Sequence, residues 1–68
     1  MNIQTVATNL RNTIAGKEKM LADYQEARKL ASMGEDAALY ATVSFLKVNI
    51  DELRRVLQDV EQCIGVEE

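Results

Sequence analysis

Between Leu39 and Ile64 apolar residues recur in steps of three and four. One set is Leu39, Leu46, Leu53 and Val60; the other is Val43, Ile50, Leu57 and Ile64. Eight consecutive core positions are filled, which keeps one stripe of an α-helix facing a partner helix. The mostly Leu set fits heptad position d and the mostly β-branched set fits position a. A second, less regular stripe runs through Ile3, Val6, Leu10, Thr13, Lys17, Met20, Tyr24, Ala27 and Ala31, flanked by Ala7, Ile14 and Leu21. Its breadth is that of a bundle helix, and Asn2 is placed to cap its start. Gly16 interrupts it, which predicts a close helix crossing or a slight bend there.

The break between the stripes falls at Ala31 to Ala37. Ser32 with Glu35 has capping-box spacing, and Asp36 stands before Ala37, Ala38 and Leu39. Reading Gly34 as a left-handed helix end favours Asp36 as the cap. The pattern therefore predicts a single helical-hairpin domain over 1–68: helix over about 2–32, turn over about 33–36, helix over about 37–64. Gly65 is placed to terminate the second helix, with Val66 supplying the apolar contact of such a cap. A connection this short makes the two helices antiparallel neighbours. The fold class is all-α.

The second helix has a surplus. Ala38, Ala41, Phe45 and Val48 share a stripe on its far side, and Tyr40 stands beside the main stripe. One partner helix covers one stripe. Tyr40, Ala41, Phe45 and Val48 are therefore candidate interface residues, and the expectation is self-association of hairpins into a four-helix bundle or larger helical oligomer, a dimer being favoured. Past Val48 the far side turns polar, with Glu52, Arg55 and Asp59.

Composition points the same way. A chain of 68 residues rarely builds a core yielding more than about 3–5 kcal/mol. It has one Cys and no His, so neither an internal disulfide nor a zinc site is expected to staple it. It also has no Pro and few aromatics, as helices prefer. No segment is apolar enough for a membrane span, and Met1 to Leu10 lacks a signal pattern, so a cytoplasmic location is expected. The net charge is −3. Residues 1–33 carry five basic and three acidic residues, whereas 34–68 carry three basic and eight acidic ones. Two segments of opposite sign suit side-by-side packing, and the acidic balance argues against nucleic acid.

Little catalytic chemistry is available. Without His the commonest general acid–base is missing, and Cys63 lacks the usual base partner of a thiol nucleophile. Cys63 is expected to pack as a small apolar residue at the seam edge. Adjacent carboxylates on a helix point about 100° apart and do not converge on one atom. No phosphate loop or metal-ligand spacing occurs, so neither cofactor nor metal is expected. Arg28, Lys29, Arg54 and Arg55 are weak candidates for holding an anion between protomers. The expected function is that of a non-enzymatic interaction or regulatory protein acting through an oligomeric helical surface, with a protein partner. One alternative is a phage-type accessory inhibitor or antidote that binds a host protein. The other is an oligomer sequestering a small anionic ligand.

Overall fold

The computed structural model describes residues 2–67, with side chains as far as Gly65. Two helices, α1 (Ile3–Leu30) and α2 (Met33–Glu67), pack against each other as an antiparallel hairpin. Among the described residues there is no strand. Asn2 caps α1: its side-chain oxygen accepts from the Thr5 N–H at 2.8 Å and from the Thr5 hydroxyl at 3.0 Å.

The turn is shorter than the sequence suggests and lies earlier. Between the two helices only Ala31 and Ser32 lie outside helix. Ala31 ends α1 in an extended conformation, and its N–H reaches the Arg28 carbonyl. Ser32, not Asp36, opens α2: its hydroxyl accepts from the Glu35 N–H at 3.4 Å, while its carbonyl accepts from the Asp36 N–H at 2.8 Å. Gly34 consequently sits in the first turn of α2, and no described glycine has a positive φ. The gain is electrostatic, because Glu35 and Asp36 then occupy the positive end of the α2 dipole while Arg28 and Lys29 occupy the last turn of α1. Gly65 likewise does not stop α2, which continues to Glu67. The Val66 side chain and Glu68 lie outside the described residues.

In α2, Val43, Leu46 and Ile50 are buried, and Leu39, Leu53, Leu57, Val60 and Ile64 are half-buried. All eight thus face the partner helix, most closely around Val43 and Ile50, each 2 % exposed. In α1 the seam runs one position off the expected stripe. Ala7 and Ile14 are buried and Leu21 half-buried, whereas Thr13, Met20 and Ala27 are exposed. The seam is therefore Ile3, Ala7, Leu10, Ile14, Lys17, Leu21, Tyr24, Arg28 and Ala31, all buried or half-buried. Both flanks of α1 are apolar enough to form a seam, and α2 can cover only one of them. Lys17 is half-buried in this line, where its methylenes pack as apolar surface.

Gly16 is exposed, and a Cβ built there meets nothing within 4 Å. No close crossing of α1 and α2 occurs at that point, so the glycine carries its helix cost without a packing return within the hairpin.

Two consequences are measurable by urea denaturation. Ile50→Ala should cost about 2–5 kcal/mol, as deletions in a packed seam do, with Leu53→Ala costing less and Arg55→Ala under about 0.5 kcal/mol. Gly16→Ala should stabilise by about 0.5–1 kcal/mol, the helix-propensity difference of an exposed site. A destabilised Gly16→Ala variant would mean that another surface closes on α1 there.

Candidate interaction surface

The two long sides of the hairpin differ in chemistry. On one side, heptad position e of each helix meets position e of the other, as antiparallel pairing requires. Arg11 donates to Glu61 at 3.0 Å, and Arg54 donates to Glu18 at 2.7 Å. Arg11 and Glu18 are one heptad apart, as are Arg54 and Glu61, and Gln25 with Lys47 continues the series. On α1 the sign changes from Arg11 to Glu18, and on α2 it changes from Lys47 and Arg54 to Glu61. Slipping α2 by one heptad sets Glu18 against Glu61 in one direction; in the other it sets Arg11 against Arg54, offset by Glu18 against Lys47. Half-exposed pairs of this kind contribute only about 0–1 kcal/mol, so their larger effect is on register.

Near the turn the same side is closed by a clamp. The Arg28 guanidinium donates to both Asp36 carboxylate oxygens, at 2.8 and 3.4 Å, and lies 5.0 Å from the centre of the Tyr40 ring. The hydrogen bond from Arg28 holds the Asp36 carboxyl below its ordinary range, against a smaller opposing effect of desolvation. The same bond raises the Arg28 guanidinium.

The opposite side is formed by position g of both helices. It carries Val6, Thr13, Met20 and Ala27 from α1 and Thr42, Asn49, Val56 and Cys63 from α2, with no charge among them. Val6 and Asn49 are half-buried, and the other six are exposed. Cys63 is thus not packed at the seam edge; it lies in the open with Val56. Ala38, Ala41, Phe45 and Val48 adjoin this side by helical spacing, at positions c and f. Phe45 is 71 % exposed and Val48 60 %. Leu30, at position c of α1, is exposed as well. Of the four candidate interface residues, Ala41, Phe45 and Val48 are thereby placed together, whereas Tyr40 lies on the charged side under Arg28. The α1 contribution is not legible in the sequence, where Val6, Thr13, Met20 and Ala27 fall in the expected seam until the pairing of the helices is known.

The weak anion candidates are not brought together within one hairpin. Arg28 pairs with Asp36 next to the turn and Arg54 with Glu18 further along, so the two doublets lie at least ten residues apart, about 15 Å or more along the axis. Arg28 is engaged by Asp36, Lys29 by Glu26 at 3.1 Å, and Arg54 by Glu18 and, at 4.0 Å, by Asp51. A shallow groove of about 330 Å³ on the charged side is lined by Leu21, Ala22, Gln25 and Ile50 and by the charges of Glu18, Lys47, Asp51 and Arg54. Two acids and two bases leave it no net sign with which to select an anion. Among the described residues no group of three or more Cys, Asp or Glu could hold a metal ion, and no helix is long and apolar enough to cross a membrane.

No family model, no curated protein and no solved structure matches the chain.

The clamp makes a pH prediction. Because the folded Asp36 carboxyl lies below its unfolded range, the pairing stabilises fully above the unfolded value of about 4 and is lost as pH falls through the depressed folded value. The difference in urea midpoint between the wild type and Asp36→Asn should be constant from neutral pH to about pH 5 and shrink below about pH 4. A difference that persists undiminished in strong acid would contradict the assigned pairing.

Proposed function

We propose that this chain is a small non-enzymatic interaction module that self-associates and acts as a regulatory helical surface in the cytoplasm, with a protein as its target. What carries the reading is the exposed strip of Phe45, Val48, Ala38 and Ala41 on a helix whose main stripe is already covered by α1. At roughly 25 cal/mol per Å² of apolar surface, leaving Phe45 and Val48 in water forgoes a few kcal/mol, a large share of what so small a core supplies. Contiguous exposed apolar surface of this sort marks contact sites. Four-helix bundles arise when two hairpins cover such strips mutually.

The overall dimensions support the same reading. The radius of gyration is 15.6 Å, where a globule of 68 residues has about 11 Å. The accessible surface is 5050 Å², against about 4,300 Å² for a globular monomer of 7.6 kDa.

The test is thermal unfolding across protein concentrations. If folding and assembly are linked, mass action makes the midpoint rise with concentration. A midpoint unchanged over about a hundredfold range would count against self-association.

A further inference from the structure

We infer that the uncharged long side of the hairpin, built by both helices, is the docking site for a second copy of this chain, and that the charged side faces outward in the resulting pair. The inference rests on the self-association proposed above and specifies where it occurs. The exposed strip of α2 is then only part of the contact. Met20 and Ala27 of α1, with Val56 of α2, belong to the same interface, as does Phe45.

Area, charge and shape argue for a second copy as the occupant. On the same scaling a globular pair of these chains would expose about 7,100 Å², so each copy has up to about 1,500 Å² to bury, more than the roughly 800 Å² that each partner buries in a stable pair. One long side of a rod measuring 52 × 16 Å offers a footprint of about that size. Burying an unpaired charge is costly, so two copies of a chain this rich in charge meet best on a face that carries none. The side at position g meets that requirement along its whole length, from Val6 and Cys63 at one end to Ala27 and Thr42 at the other. The opposite side would bring Arg11, Glu18, Arg54 and Glu61 out of water, and these are already paired within the hairpin. Asp23, Glu52 and Asp59, at position c, border the uncharged strip as the polar rim of such contacts does. Asn49 is the one half-buried amide of the strip, and among the described residues no buried side-chain polar atom is left without a hydrogen-bond partner.

Sedimentation equilibrium of the full chain tests this, with circular dichroism on each variant. The wild type should sediment with twice the chain mass at about 100 μM, in the range where modest interfaces assemble. Met20→Glu on α1 and Phe45→Glu on α2 should each give the mass of one chain while remaining helical. Gln25→Glu, on the charged side, should leave the pair intact. Should the glutamate variants lose their helix, Asn49→Leu decides: association tightened about tenfold supports the interface, and association unchanged or weakened overturns it. A wild type at the mass of one chain overturns both this interface and self-association, leaving the strip to a different occupant. A pair that survives Met20→Glu and Phe45→Glu but dissociates in Gln25→Glu overturns the choice of side alone.

Discussion

Two helices can share only one seam, and every other feature of this molecule follows from that limit. In a larger domain a helix buries a broad face because several neighbours share it. Here α1 covers one line of α2 and is covered along one line in return. The buried set is correspondingly small: Ala7, Ile14, Val43, Leu46 and Ile50. The remaining apolar residues of both helices lie on surfaces that a single hairpin has no means to close. The seam is therefore both the source of the fold's stability and the reason that the fold by itself leaves apolar surface uncovered.

Given one seam, packing and charge favour the same line of α1. Apolar residues flank the common positions Ile3, Leu10, Lys17 and Tyr24 on both sides, as Ala7, Ile14 and Leu21 on one and Val6, Met20 and Ala27 on the other. The second flank also carries Thr13 where the first has Ile14, so packing already favours the first. Arg11 and Glu18 lie next to the first flank, and α2 offers Glu61 and Arg54 in matching order. Seating the first flank satisfies both pairs; seating the second would leave them on the outside. The clamp of Arg28, Asp36 and Tyr40 adds a third constraint next to the turn. Individually weak surface pairs can in this way reinforce a choice among apolar packings.

The two helices, their antiparallel order and the α2 seam were legible in the amino-acid pattern, because a run of eight filled heptad positions has few other physical readings. The α1 seam was legible only to within one position. The apolar face of α1 is wider than a seam, and its period does not reveal which edge meets the partner; Ile14 against Thr13 and the order of charges at Arg11 and Glu18 do. The turn lies earlier than the local signals indicate for a related reason. Gly34 reads as a helix terminator when considered locally, yet Ser32 can satisfy two N–H groups of the next helix, which starts α2 earlier and leaves Asp36 for Arg28. The exposed strip at Phe45 and Val48 was visible from helical spacing. That it continues across α1 became visible only once the pairing of positions e was known, since that pairing assigns positions g to the opposite side.

In the proposed pair, the surplus apolar side of the hairpin is covered laterally by another hairpin. Small-angle X-ray scattering of the wild-type chain reads mass and length together. A lateral pair should give a forward intensity corresponding to two chains with a maximum dimension still near the 52 Å of one hairpin. Forward intensity of a single chain at all concentrations would contradict that arrangement, as would two chains in a particle twice as long.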